Sequence, residues 1–318
     1  MLLLEIIEDI LPIIFLMALG YFLREKKFIN DGLNANLAFL VMNIALPSSI
    51  FVSVLKTLDL SRLGTLKEPL LLGAGVLVVL YAISVLLVKV CRIPRGRRGS
   101  FINGIVNTNS LFIGMPLNAA LFGDKAISYF LVFYVLSLFS IWTIGATLVV
   151  NDSSSSSDAV GGSRFQLKRL LQAPLVGGVA AFLVLLLGIQ VPKPLFATLN
   201  YLGNMVTGLS LIYIGISLSV AGLSSIRFDR DTLVAMVGKF VLSPVLTAGI
   251  FGLAALLGTA QPVIASQTFI VQSAVPTLAV LPILAEQGKG DVVYAANLVT
   301  IGTLLFVVVV PLVMLLVS

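Results

Sequence analysis

Two stretches of this chain combine amide and hydroxyl side chains with a proline inside otherwise apolar sequence. They read NGIVNTNSLFIGMPLNAALFG, which starts at Asn103, and QTFIVQSAVPTLAVLPILAEQG, which starts at Gln267. In each, small and polar residues precede the proline, Pro116 or Pro276. A proline lacks an N–H group and its ring clashes with the carbonyl one turn earlier, so a helix loses backbone hydrogen bonds there. The two stretches are therefore predicted to be broken helices whose free backbone groups could bind an ion.

The composition indicates which solvent surrounds these breaks. Of 318 residues, 58% are hydrophobic and 11% are charged, and the mean hydropathy is +1.10. Water-soluble domains carry about 25% charged residues, so the chain is predicted to be an all-α integral membrane protein that contacts the lipid bilayer. In hydrocarbon, free backbone groups are tolerated only where protein or a water-filled cavity satisfies them. The breaks are therefore expected to line an interior site.

The elements that position the breaks are membrane-spanning helices, each of which needs about 20 mostly apolar residues. Charged and polar turns divide the chain into about ten such stretches. They are Glu5 to Leu23, Leu33 to Leu55, Pro69 to Val90, Ser100 to Phe122, Lys125 to Val150, Leu170 to Ile189, Leu195 to Leu223, Thr232 to Leu257, Val263 to Glu286 and Asp291 to Val317. The acidic first stretch lacks a basic start and a small-residue cleavage site, so it is predicted to be a mature helix and not a signal peptide.

Basic residues are concentrated in alternate loops. One set of loops holds Arg24, Lys26, Lys27, Lys89, Arg92, Arg95, Arg97, Arg98, Arg164, Lys168, Arg169, Arg227, Arg230 and Lys289, and the opposite set holds only Lys56, Arg62, Lys67, Lys125 and Lys193. Because short loops rich in Lys and Arg stay in the cytoplasm, both termini are predicted to be extracytoplasmic in a protein of the plasma membrane. Topology thus accounts for the basic composition, and no nucleic-acid partner is expected.

A polar segment, NDSSSSSDAVGGS, lies near the midpoint of the chain. It predicts a flexible cytoplasmic linker over 151–169, between a first five-helix repeat at 1–150 and a second at 170–318. Halves with an odd number of spans enter the membrane in opposite senses, as an inverted repeat requires. Spans four and nine then correspond, and their breaks are predicted to cross near the midplane, where half-helix N-termini favour an anion. Ordinary proline kinks are the alternative.

Lys239, in VAMVGKFVLSPVL, is a charged residue well inside a predicted span. Charge at that depth is costly and points to function, so Lys239 is expected to face the crossover, either opposite an anionic substrate or against the carbonyl end of a half-helix. The alternative is that its side chain snorkels to the cytoplasmic interface. The sequence has no histidine, which disfavours a proton relay. No cofactor is expected, although carbonyl, hydroxyl and amide groups at the breaks could hold sodium.

Several stretches together resemble the auxin efflux carrier family, the bacterial and archaeal relatives of plant PIN carriers. They are MNIALPSSIF in span two, NTNSLFIGMPLNAALFG in span four, KFVLSPVL in span eight and QSAVPTLAVLPILAEQGKGDVVYAANLVTIGTLLFVVVVPL across spans nine and ten. The resemblance covers essentially the whole chain. It implies a fold similar to bile acid/sodium symporters and sodium/proton antiporters, with a scaffold part, a transport part of spans three to five and eight to ten, and a homodimer packed through the scaffold. Gly208 stands where the family often has a proline in span seven.

On that family pattern, the crossover prolines and the polar residues near them are expected to contact the substrate. Together with the buried lysine, the predicted binding residues are Asn107, Asn109, Pro116, Lys239, Gln272, Ser273 and Pro276. The two asparagines could instead form hydrogen bonds that link helices.

The family is associated with organic anions. The predicted function is therefore a secondary carrier, an efflux uniporter or exchanger with elevator-type alternating access, for small organic carboxylates such as auxin-like acids, malate or malonate. In a cell that is negative inside, the membrane potential favours anion exit by about 2.3 kcal/mol per charge and 100 mV. The alternatives are a sodium-coupled organic-anion symporter and a ligand sensor or channel on the same fold. No nucleotide-binding or catalytic motif is present, so an enzyme is not expected.

Overall fold

The computed structural model describes residues 2–30, 32–57, 64, 66–152, 173–221 and 226–317, and within these ranges the chain forms helices and no strand. The helices are α1 Leu2–Glu25, α2 Leu33–Leu40, α3 Leu46–Thr57, α4 Lys67–Val90, α5 Arg98–Val106, α6 Met115–Phe122, α7 Ile127–Ser140, α8 Ala146–Val150, α9 Ala173–Leu186, α10 Lys193–Ala221, α11 Arg230–Val237, α12 Ser243–Leu256, α13 Val263–Ser273, α14 Leu281–Gln287 and α15 Val292–Val317. They lie where the hydropathy pattern placed apolar spans. Most of the predicted linker lies outside the described residues.

Among the described residues, five helical stretches are long and apolar enough to cross a membrane. They are Asn36–Lys56, Lys67–Val90, Arg98–Val150, Lys193–Ile216 and Arg230–Leu256, and shorter apolar helices occupy Val176–Leu186 and Val292–Phe306. This length and composition make the chain a multi-pass membrane protein. The ten-span plan and its inverted repeat stay predictions.

Three prolines each follow a widened helical turn, in which hydrogen bonds run to the fifth residue back. These π turns are Val41–Ala45 before Pro47, Ser110–Gly114 before Pro116 and Gly238–Leu242 before Pro244. In the last of them, the N–H of Ser243 donates to the carbonyl of Gly238. A proline ring crowds the carbonyl four residues earlier, and an extra residue in the preceding turn relieves that crowding. Proline thus reshapes these helices without ending them.

The chain divides into two compact units. Unit 1 comprises Met1–Lys67, Leu111–Val132 and Leu167–Ala221. Within it, α1 and α10 approach closely because Gly20 and Gly215 have no side chain: a Cβ at either position would collide with the backbone of Ile212 or Met17. Small residues permit such close helix contact in membrane proteins. Helix α10 continues unbroken through Gly208, so the residue that departs from the family pattern forms no break.

Unit 2 comprises Glu68–Ser110, Phe133–Gln166 and Gly222–Ser318. It contains the spans that the family resemblance assigned to a transport part, except for residues 111–132. An aromatic cluster in its core supports α13: the ring of Phe269 lies 5.5 Å from Phe133, edge to face, and 5.1 Å from Phe251. All three rings are buried, and aromatic side chains bury a large apolar area. These contacts anchor α13 about one turn before its last residue, Ser273.

Candidate functional site

Two helix breaks meet within unit 2. Helix α5 ends at Val106, and Asn107 then adopts an extended backbone with φ −92° and ψ 147°. Helix α13 ends at Ser273, and regular helix resumes only at Leu281. The backbone N–H of Asn109 donates to the carbonyl of Pro276 across a distance of 2.8 Å. One backbone N–H of the first break is thus satisfied by a carbonyl of the second, and irregular structure in a membrane interior requires such protein partners.

Lys239 lies beside the first break. It belongs to the π turn Gly238–Leu242, it is fully buried, and its Nζ donates to the carbonyls of Ile105 and Asn107, each at 3.3 Å. Those carbonyls belong to the end of α5, where the last carbonyls have no N–H partner within the helix and the helix dipole places a negative partial charge. The ammonium therefore lies against the carbonyl end of a half-helix and not at an interface.

The side chain of Asn107 is engaged by protein. Its Nδ2 donates to Asn103 Oδ1 at 2.7 Å and to the Tyr81 hydroxyl at 3.0 Å, while its Oδ1 accepts from the Ser140 hydroxyl at 2.7 Å. Tyr81 and Ser140 also bond to each other at 2.9 Å. These bonds link α4, α5 and α7, as in the interpretation of Asn107 as a connection between helices. A substrate would reach this amide only by displacing one of them.

The other predicted residues have different surroundings. Asn109 is half-buried, whereas Gln272 and Ser273 are buried at the end of α13. The Ser273 hydroxyl donates to the carbonyl of Ile270 at 2.7 Å, within its own helix. Every predicted binding residue except Pro116 belongs to unit 2, and Pro116 belongs to unit 1.

A small, mostly apolar cavity adjoins the second break. It measures about 10 Å³ and is lined partly by Ser243, Thr247 and Ser273. The Ser243 hydroxyl has no hydrogen-bond partner among the described residues. A cavity of that volume holds about one water molecule, so it can hydrate this hydroxyl but is too small for an organic acid.

Comparison with known families identifies the chain. A family model described as membrane transport protein matches residues 5–160 and 159–314. The chain belongs to this membrane transport protein family. It is the auxin efflux carrier family that the stretches around Pro116 and Pro276 resemble. The two matched segments meet inside the serine-rich segment near the midpoint of the chain.

Two archaeal relatives cover nearly the whole chain of this membrane transport protein. An uncharacterized transporter of Methanocaldococcus jannaschii is 22% identical over 301 residues, which are 93% of this chain and 94% of the relative. An uncharacterized transporter of Methanothermobacter thermautotrophicus is 24% identical over 306 residues, or 96% of each chain. The chain is thus similar to transporters along its full matched length.

Arg97 has a role in this membrane transport protein that the charge pattern did not reveal. Its Nε donates to Asp291 Oδ2 and its Nη1 to Asp229 Oδ2, both at 2.7 Å, and its guanidinium lies 4.7 Å from the ring centre of Tyr294. Asp231 is a third, longer contact at 3.4 Å. Arg97 precedes the first residue of α5 and joins the starts of three helices, α5, α11 and α15.

The carboxylates around Arg97 also cap helices. Asp229 accepts from the backbone N–H of Thr232, and Asp291 accepts from that of Tyr294. Burial favours the neutral Asp229 carboxyl, but the bonds from Thr232 and Arg97 outweigh it and hold the pKa of Asp229 below its ordinary value. The signal available in the sequence was an aspartate at the start of α11 and another at the start of α15, on loops predicted on the same side as Arg97.

A wider cavity of about 670 Å³ opens at the start of α5, away from the helix breaks. Lys89, Arg92, Arg98 and Asp152 are among its lining residues. Asp152 accepts from the backbone N–H of Gly99 at 2.9 Å, and burial raises the pKa of the Asp152 carboxyl above its ordinary value. The carboxylate thus occupies the positive end of α5.

Asn118 is a second residue that the sequence did not single out. It lies in α6 of unit 1, two residues after Pro116, and it is fully buried. Neither its Nδ2 nor its Oδ1 has a hydrogen-bond partner among the described residues. An unsatisfied buried amide costs about 1–3 kcal/mol. Asn118 is accordingly a candidate to bond a water or a ligand.

Proposed function

We propose that this membrane protein is a secondary carrier for small organic carboxylates, working as an efflux uniporter or exchanger. The hydrogen bond from Asn109 to Pro276 carries this proposal, because it joins two interrupted helices beside a buried cation. Interrupted helices at the bilayer midplane form the substrate and ion sites of many secondary transporters.

The charge of the site supports an anionic substrate. Lys239 is buried, and its hydrogen bonds in the described part of the chain run to carbonyl oxygens and not to a carboxylate. A buried ammonium with carbonyl partners alone leaves a positive potential nearby, and at low dielectric such a potential attracts a carboxylate strongly. We propose Asn109 and Gln272 as polar contacts that orient the acid.

The negative charge of the proposed substrate favours one direction of transport. A monovalent acid that leaves a cell negative inside gains about 2.3 kcal/mol per 100 mV without any coupled ion, which favours efflux or exchange. We further propose elevator-type alternating access with unit 2 as the transport part, a homodimer, and a plasma-membrane location with both termini outside.

Thermal-shift measurements test the substrate class. The detergent-purified protein is screened against malate, malonate, other dicarboxylates and indole-3-acetate, each paired with its uncharged amide as a matched control. A ligand that binds only the folded state raises the melting temperature in proportion to the logarithm of its concentration once the site is saturated. One acid class should stabilise the protein while its amide does not; equal shifts from acid and amide would contradict a site built for carboxylates.

Counterflow separates a carrier from a channel. Proteoliposomes loaded with the unlabelled acid should accumulate the labelled acid transiently, because an alternating-access site exchanges one molecule for another. Uptake that rises linearly with concentration and shows no counterflow would indicate a channel. Binding without any flux would indicate a sensor.

A further inference from the structure

The carbonyl end of α5 is a place where a broken helix would ordinarily hold a cation. A helix end leaves its last carbonyls without helical partners and carries a negative partial charge. In transporters with interrupted helices, these unwound carbonyls coordinate sodium. In this chain the carbonyls of Ile105 and Asn107 converge, but they converge on Lys239 Nζ at 3.3 Å each.

A sodium ion does not fit the same oxygens while the lysine is there. The two oxygens bond to an ammonium, and a metal ion placed among them would meet a like charge inside a low-dielectric interior. The amide oxygen of Asn107, another possible ligand in this break, accepts from Ser140. The part of the chain that the structure describes has no cluster of acidic or histidine side chains able to hold a metal.

The backbone keeps Lys239 in this position. Lys239 lies in the π turn before Pro244. Because proline supplies no N–H, a regular α-helical turn cannot easily replace this π turn. The same turn packs tightly on α5: a Cβ added at Gly238 would lie 2.7 Å from the side chain of Ile105. The ammonium is thus fixed to the half-helix by two neighbouring contacts.

We infer that Lys239 is the resident cation of this helix break, that its ammonium takes the place of a coupling sodium ion, and that the protein therefore binds its anion without sodium. The part concerning the anion rests on the proposed function. The part concerning the cation rests only on the contacts of Lys239.

The substitution Lys239→Met tests the cation part, because methionine keeps much of the length and loses the charge. Melting temperatures are measured in sodium chloride and in choline chloride at equal ionic strength, without any acid. Sodium should stabilise Lys239→Met saturably, by about 3 °C or more, and choline should not. The wild type should melt at the same temperature in both salts. Lys239→Gln provides a second neutral variant that can hydrogen-bond.

Lys89→Met is the matched control, since Lys89 is an exposed lysine at the end of α4 in the same unit. It should show no sodium effect. If a folded Lys239→Met or Lys239→Gln variant melts at the same temperature in sodium chloride and in choline chloride, the inference is overturned. If neither variant folds, the wild type decides: carboxylate binding that requires sodium contradicts the inference, and binding of equal strength in choline supports it.

The two proposals fail separately. If no carboxylate shifts the wild type in either salt, the proposed substrate class is wrong. Saturable stabilisation of Lys239→Met by sodium would still establish the cation site, because that experiment contains no acid.

Discussion

The carbonyl of Pro276 accepts a hydrogen bond from the backbone N–H of Asn109, a residue from the other half of the chain. This bond exists because both segments are non-helical at that point. Pro276 has no N–H of its own to donate to an earlier turn, and Asn109 follows the extended residue Asn107.

Replacing Pro276 by alanine should therefore reduce transport more than folding. Alanine restores an N–H and favours helix across the gap between Ser273 and Leu281, which would draw the carbonyl away from Asn109. We expect at least a tenfold lower initial rate per reconstituted protein, a factor that corresponds to about 1.4 kcal/mol. The measurement is labelled-acid uptake into proteoliposomes, normalised to inserted protein.

Pro282→Ala is the control for that substitution. Pro282 lies in the first turn of α14, where proline costs a helix nothing, so its variant should transport normally. Pro116→Ala should also impair transport, because Pro116 follows the π turn Ser110–Gly114. Normal rates for both Pro116→Ala and Pro276→Ala would remove the helix breaks from the transport mechanism.

Arg97→Ala should lower thermal stability. The guanidinium makes short bonds to Asp291 and Asp229, and charged hydrogen bonds contribute about 1.5–3 kcal/mol each at most, less where solvent reaches them. We expect the free energy of unfolding to fall by about 1–3 kcal/mol, measured by thermal unfolding in detergent. Arg95→Ala, at an exposed neighbour in the same loop, should change it by less than about 0.5 kcal/mol. Equal effects of the two would show that the Arg97 cluster adds no stability.

Asp229 and Asp152 should respond to pH in opposite senses. The pKa of Asp229 is lowered in the folded state, so its stabilisation is present above the unfolded pKa of about 3.9 and is lost as pH falls through the folded value. The pKa of Asp152 is raised, so its stabilisation is present below the unfolded pKa and is lost as pH rises through the folded value.

Neutral variants make that contrast measurable. At pH 7, Asp229→Asn should melt below the wild type and Asp152→Asn at or above it, and both differences should shrink as the pH falls to 3. Melting curves at half-unit pH intervals provide the measurement. Differences of the same sign for the two variants would contradict the assigned pKa directions.

Asn118→Leu should stabilise the ligand-free protein. Leucine has a similar size, and it removes an amide whose two polar atoms lack partners among the described residues. The expected gain is about 1–3 kcal/mol, read from the melting temperature. Thr198→Val, which removes an exposed hydroxyl in α10 of the same unit, provides a baseline. A lower melting temperature for Asn118→Leu would mean that water already satisfies the amide.

Hydropathy was enough to predict where the helices lie, and Pro276 marked the gap that follows α13. Both depend on neighbours within a few turns, which a sequence displays directly. Pro116 did not mark the end of α5, because that helix already stops at Val106 and Pro116 lies within α6. The three-helix contact of Arg97 could not be predicted in this way, because its partners are 132 and 194 residues away. The bonds of Asn107 are similar: the choice between Tyr81 and a substrate is made by tertiary packing. The π turns escaped notice because they change the helix by a single residue.

The extra residue of a π turn changes which way the side chains on either side of it face along a membrane span. An α-helix advances about 100° per residue, so the extra member of the Gly238–Leu242 turn offsets the faces of α11 from those of α12. A helical wheel drawn straight through the span would misassign which side chains point outward. Val237 and Val241 are exposed while Lys239 between them is wholly buried. Deleting one residue from this turn would rotate α11 by about a quarter turn and carry the charged group out of its protein surroundings.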